Sequence, residues 1–173
     1  MKTNRLELRE RTSRLEQWLL EQPIEQQLKF LGYNNMELLE IELVRIKKAN
    51  AKGYTDLKKW DLILKESNTT IGNCGFHNWI SKHERAEMGY ILFEDYRGKG
   101  YMNEALTSII NYGFHEMNLN RIEAFISPDN SPSINLIERL NFECEGKLRE
   151  HHKSEDQIHD SLVYGLLKKD YTK

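Results

Sequence analysis

Two glycines set among cations, Arg97-Gly98-Lys99-Gly100, stand directly before a run of apolar residues at helical spacing. Met102, Ala105, Leu106, Ile109, Ile110, Phe114 and Met117 recur three and four residues apart, which defines one buried helical face. Ahead of the glycines, residues 88–93 are apolar and aromatic enough for a buried strand. A strand that enters a helix through such a turn aims unbonded N–H groups, and the positive end of the helix dipole, at one spot. That spot suits an anion, above all a phosphate. Gly98, Lys99, Gly100, Tyr101 and Met102 would supply the N–H groups, and Arg97 and Lys99 the charge.

Spacing separates the known glycine turns. A nucleotide-hydrolase phosphate loop needs a glycine, four intervening residues and then Gly-Lys-Ser/Thr, and neither that first glycine nor the magnesium-binding hydroxyl is present. A dinucleotide fingerprint needs a third glycine, and Asn103 follows Met102 instead. Residues 97–102 resemble the Arg/Gln-x-x-Gly-x-Gly/Ala pyrophosphate loop of the GNAT acetyltransferases, in an Arg-Gly-Lys-Gly form. The resemblance extends in order along nearly the whole chain, through residues 5–9, 70–76, 86–90, 118–124, 130–142, 145–149 and 160–164. The last segments are similar to the branch that contains the ribosomal-protein N-terminal acetyltransferases.

That resemblance implies a single α/β domain over residues 1–173, with an N-terminal strand and helical lid at 1–55 and a cofactor-binding core at 56–173. It implies a mixed, mostly antiparallel sheet flanked by helices, and acetyl-CoA in a cleft between splayed fourth and fifth strands. Ile91, Leu92 and Phe93 would then bond the pantetheine arm through their backbone, and Asn130 and Ser133 would contact it near the sulfur. Many relatives place a tyrosine in the following helix as the acid; Ile137 occupies that position here, which leaves the Ser133 hydroxyl or, alternatively, a helix-capping role for that serine.

Acetyl transfer requires a free amine. An α-amine of pKa about 8 is far more available near neutrality than a lysine of about 10.4, so a site with a weak base favours an N-terminal amine. Three side chains are candidates for the base. Glu87 lies on the central strand just before the glycine turn, His77 on the preceding strand, and His152 in a polar stretch read as a loop. Each has a plainer alternative: a structural hydrogen bond for Glu87, a wall or core role for His77, simple solvation for His151 and His152. No cysteine has a nucleophile-like context, so transfer would be direct. The rival readings are a small-molecule acetyltransferase, acting on a polyamine, aminoglycoside or amino acid, and an acyl-CoA-binding sensor without turnover.

Other elements must position these groups. Residues 5–9 alternate as an edge strand with one wet face. Residues 11–50 read as helices, with Leu15, Trp18 and Leu19, then Leu28 and Leu31, then Leu39, Leu43 and Ile46 as apolar stripes. They form a lid packed on the sheet, a wall of the acceptor pocket that uses Trp18, Phe30 and Tyr33, or a dimer seam. Residues 60–64 and 70–80 are strands, and strict alternation would put His77 and Trp79 on the face opposite Phe76, Asn78 and Ile80. His77, Trp79, Tyr33 and His152 are the expected acceptor-side residues. Pro132 suits the first turn of a helix capped by Asn130 or Ser131, and Asn141 suits the left-handed residue that stops it.

Composition narrows the partners. The 25 Lys and Arg against 27 Asp and Glu give a net charge of −2, which argues against a general nucleic-acid surface. The six histidines lack metal-ligand spacing, so no metal is expected. Two unpaired-looking cysteines and the lack of a hydrophobic leader point to a reduced, cytoplasmic protein, off the membrane, monomeric or homodimeric.

Overall fold

A computed structural model of the chain describes residues 1–52, 58–154 and 157–171. The element order is β1 (Leu6–Glu10), α1 (Ser13–Leu20), α2 (Ile24–Leu31), α3 (Met36–Lys52), β2 (Lys58–Leu64), β3 (Thr69–Ile80), β4 (Arg85–Leu92), α4 (Tyr101–His115), β5 (Arg121–Ile126), α5 (Ser131–Arg139), β6 (Glu143–Ser154) and β7 (Gln157–Leu167). Seven strands make one mixed sheet in the order β1-β2-β3-β4-β5-β7-β6. The β1–β2, β2–β3, β5–β7 and β6–β7 pairs are antiparallel, and β4–β5 is parallel. As expected, β1 lies at an edge. The chain divides into two compact units, Met1–Phe76 with Tyr90–Ser108, and His77–Gly89 with Ile109–Lys173. The boundary expected at residues 55/56 lies outside the described residues. Among the described residues no helix is long and apolar enough to cross a membrane.

In the first unit the lid helices build a core of their own. Leu19, Leu31, Leu39 and Ile46 are buried together, with Leu28, Phe30, Tyr33 and Leu43 packed around them. Each such aliphatic side chain contributes about 2 kcal/mol by leaving water. Thr12 caps α1 by accepting the Leu15 N–H at 3.2 Å, and α2 stops at Gly32 in the left-handed conformation. Trp18 departs from its expected stripe: it is 42% exposed and packs on Phe30, while Glu16 takes the buried position. A Leu-Glu-x-Trp-Leu run over one and a half turns places several residues near the boundary of the stripe, and burial there raises the Glu16 carboxyl despite the nearby Arg11 and Lys59.

In the second unit the period-2 rule holds in β5, where Ile122, Ala124 and Ile126 are buried and Arg121, Glu123 and Phe125 lie half-exposed between them. It fails in β3, where Asn78 adopts φ +49° and breaks the pleat, so that His77 and Asn78 reach the same carboxylate instead of opposite faces. It is interrupted again in β6, whose pairing with β7 shifts register between Leu148 and His152 around Glu150 at φ +54°. Residues 150–154 therefore belong to a strand and not to the expected polar loop; backbone pairing to β7 suffices where side-chain pattern is silent.

Candidate active site

The glycine turn is built as its composition requires, with one added step. β4 ends at Leu92, and a single 3-10 turn, Glu94–Tyr96, intervenes before the glycines. Phe93 thus lies just outside the strand. Gly98 and Gly100 take φ +73° and +78°, a region that side-chain-bearing residues enter at a cost of about 1 kcal/mol or more. The Glu104 N–H bonds the Gly100 carbonyl at 3.1 Å, and the N–H groups ahead of it in α4 have no acceptor within the helix. Arg97 and Lys99 are folded back onto their own loop, Arg97 Nε donating to the Leu92 carbonyl at 3.1 Å and Lys99 Nζ to that of Asp95 at 2.8 Å.

The clamp on this turn is Arg5, which sequence reasoning missed. Its Nε meets Glu104 Oε2 at 2.7 Å, its Nη1 donates to the Lys99 carbonyl at 2.9 Å, and its guanidinium lies 4.4 Å from the centre of the Tyr101 ring. Its own backbone N–H and the Thr3 hydroxyl donate to the other Glu104 oxygen. Burial would raise the Glu104 carboxyl, but these donors outweigh it and hold its pKa below the ordinary carboxylate value. The partners stand about a hundred positions apart, so no local pattern could announce them.

The expected pantetheine segment is tied to β3. The Phe93 N–H donates to the Ile71 carbonyl at 2.9 Å and its carbonyl accepts from Tyr96 N at 3.0 Å, so this residue's backbone is already engaged. Its ring packs 5.5 Å from that of Tyr33, whose hydroxyl is pushed up to about 12, chiefly by burial and next by the Glu42 charge. Ile91 is 50% exposed. The β4–β5 pairing comprises Arg85–Glu87 against Arg121–Glu123, while both strands run on past it. In α5, Asn130 is the cap: its Oδ1 accepts from the Ser133 N–H at 3.2 Å. Asn141, at φ +65°, ends the turn after the helix.

Glu87 is the centre of a polar cluster in the second unit. His77 Nε2 lies 2.8 Å from Oε1, and Asn78 Nδ2 donates to Oε2 at 2.8 Å. Burial acts to raise this carboxyl, but the His77 bond and charge, the Asn78 bond and the nearby His151 together lower it. The side chains of Glu87 and His77 keep 21% and 39% of their surface exposed. Trp79, two residues along β3 from His77, is half-buried. His152 pairs with His159 across the hairpin, whereas His151 has Nδ1 3.0 Å from Ser161 Oγ and its ring 5.0 Å from Phe125. The β6 register shift lies between Leu148 and His152, and no count along the sequence reveals such a bulge.

A bonded, half-exposed carboxylate among imidazoles can accept an ammonium, and a clamped glycine turn at a helix N-terminus can hold a pyrophosphate. Residues 5–143 match the family described as an acetyltransferase (GNAT) domain. The chain is 42% identical over 113 residues to N-acetyltransferase p20 of Bacillus licheniformis, covering 65% of this chain and 64% of that protein. It is 33% identical over 103 residues to the ribosomal protein uS5-alanine N-acetyltransferase of Escherichia coli, covering 59% of this chain and 53% of that one. The matched part thus spans about half to two thirds of these relatives' lengths. A crystal structure titled as an acetyltransferase superposes with a TM-score of 0.74 at 26% identity, over 98% of this chain and 97% of that one. With motif, sheet order and family match in agreement over most of its length, the chain belongs to the GNAT acetyltransferase family.

Proposed function

We propose that the protein transfers an acetyl group from acetyl-CoA directly to a primary amine, and that the acceptor is the α-amine of a protein N-terminus. The observation that carries the first half is the turn at residues 97–102, left-handed at both glycines and clamped by Arg5, with unbonded N–H groups opening α4. This arrangement fits a pyrophosphate through the N–H groups of residues 98–102, with Arg97 and Lys99 able to swing from backbone carbonyls to phosphate oxygens. Ile91 and Leu92 would bond the pantetheine arm, and Asn130 and Ser133 would lie along it. The cosubstrate supplies an activated acetyl thioester, whose thiolate leaves with little acid help because thiol pKa values lie near 8.5. With the cap supplied by Asn130, the Ser133 hydroxyl is left to meet the leaving sulfur.

The second half rests on Glu87. A carboxylate held ionised draws a cationic amine into place, and the weakly basic Glu87–His77 pair suits an α-amine better than a lysine. Tyr33, Trp79 and His152 would line the acceptor side. The Escherichia coli relative is named as an alanine N-acetyltransferase of ribosomal protein uS5, in keeping with a protein acceptor. A cysteine-linked acetyl intermediate is disfavoured: Cys74 is buried and its thiol is raised well above the ordinary value by burial, then by Asp61, and the Cys144 thiol turns to the Gly146 carbonyl. Free thiols also suit a reduced, cytoplasmic setting.

The test follows coenzyme A release as free thiol over alanine- and serine-initiated peptides, internal-lysine peptides, polyamines, aminoglycosides and amino acids, with mass spectrometry of the products. Turnover on peptide α-amines is expected. Turnover confined to small amines would replace the acceptor, and acetyl-CoA binding without turnover on any amine would make the protein a sensor.

A further inference from the structure

Glu87 is a poor proton acceptor for an amine, because both its oxygens already receive hydrogen bonds and these favour its ionised form. The ring beside it is better placed. An ionised carboxylate only accepts, so the 2.8 Å contact requires the hydrogen on His77 Nε2, which in the neutral ring leaves the lone pair on Nδ1. That nitrogen lies over Gly89, one alternation further along the Glu87 face of β4. A Cβ at position 89 would stand 3.0 Å from His77 Cε1 and 3.3 Å from Nδ1, so a glycine is what leaves room for the ring.

We propose that His77 Nδ1 takes the proton from the acceptor amine and that Glu87 acts as the positioning residue that fixes the ring's tautomer and orientation. This rests on the acetyl-transfer reading and assigns the roles within it. The ammonium N–H bond breaks, its electron pair remains on nitrogen for attack on the thioester, and a new Nδ1–H bond forms. The positive charge passes to an imidazolium held against the Glu87 carboxylate. A C–N bond forms as the nitrogen pair attacks the thioester carbonyl, the C–S bond then breaks with its pair going to sulfur, the second N–H proton of the adduct passes to the leaving thiolate, and the imidazolium releases the first proton to solvent. The physical advantage is a matched acceptor: imidazoles as a class titrate near 6.5 and α-amines near 8, whereas a glutamate near 4.3 lies further from the amine by about two units.

Charged groups on the strands of the same unit have partners of their own. His151 on β6 approaches Glu87 and is itself bonded to Ser161 on β7. Arg85 is paired with Glu123, and Arg121 with Glu123 and Glu145.

The experiment measures coenzyme A release with an alanine-initiated peptide from pH 5.5 to 9.5 for the unmutated protein, H77Q and E87Q, with acetyl-CoA affinity as the control for folding. H77Q should lower kcat/KM about a hundredfold at neutral pH with unchanged acetyl-CoA affinity, and its rate should then rise with pH only as the free amine does. E87Q should cost about tenfold and move the acid limb to lower pH, since the imidazolium loses its counter-charge. Nitrogen-15 spectra of the imidazoles should show His77 protonated at Nε2, with that preference lost in E87Q. An H77Q rate within twofold of the unmutated protein, or a His77 ring protonated at Nδ1, would overturn the assignment while leaving acetyl transfer standing. No turnover by the unmutated protein on any amine would remove the transfer reading and this assignment together.

Discussion

Two clusters of charge in this protein use similar residues to opposite ends. In the first unit, Arg11 bridges Asp61 and Glu42, Lys59 meets the same Glu42 oxygen at 2.6 Å, and Arg9 closes on Asp61 at 3.0 Å. The Arg11, Asp61 and Glu42 side chains are almost wholly removed from water. In the second unit, Glu87 has equally short bonds, but its partners are an imidazole and an amide, and the group is open to solvent. The first cluster is saturated with permanent charges and ties α3 to β1 and β2. The second has an imidazole partner and a route to water. Distances are alike; burial and the chemical type of the partners separate the buried fastening from the solvent-accessible cluster.

The widest gap between the two should be in stability. Asp61→Ala should cost about 3–5 kcal/mol in denaturant unfolding, because Arg11 is left buried with half its charge unmatched, whereas Glu87→Gln should change stability by about 1 kcal/mol or less. Equal losses would dissolve the distinction.

Acid should show the same contrast. Burial opposes ionisation of Glu42, but Lys59 and Arg11 outweigh it and hold its pKa below the ordinary carboxylate value. Its contribution is therefore complete above the unfolded carboxylate pKa of about 4.3 and is lost as pH falls through the depressed folded value. Glu87 is depressed in the same direction, from a more exposed position with weaker consequences. Thermal midpoints followed from pH 7 to 2.5 should fall less steeply in Glu42→Gln than in the unmutated protein, starting from a lower value at pH 7, and Glu87→Gln should track the unmutated curve closely.

A smaller effect concerns the ion pair that belongs to neither class. Arg5 and Glu104 are partly exposed, and their role is to hold the glycine turn. Arg5→Met should weaken acetyl-CoA binding about tenfold, or about 1.4 kcal/mol, with kcat nearly unchanged. A fall in kcat at unchanged affinity would place Arg5 elsewhere in the function.

Much of the framework was legible because it depends on short-range patterns. The glycine turn, the helical face from Met102 to Phe114 and the period of β5 each follow from neighbours within a few positions, and the structure has them. The Asn141 stop was visible for the same reason, as left-handed backbone is tolerated by few residue types. Legibility failed where the backbone left the extended region inside a strand. Asn78 and Glu150 adopt positive φ, and each undoes the alternation on which the placement of His77 and His151 depended.

By itself, then, the sequence determined the family, the glycine turn and the strand that carries Glu87, since these rest on composition and spacing along the chain. Only the tertiary structure decided that Arg5 holds the turn, that His77 and Asn78 share one carboxylate, and that His151 meets Ser161 while His152 pairs with His159. Those choices depend on strand register and on partners up to about a hundred residues apart, where one inserted residue reverses a face and leaves no periodic trace.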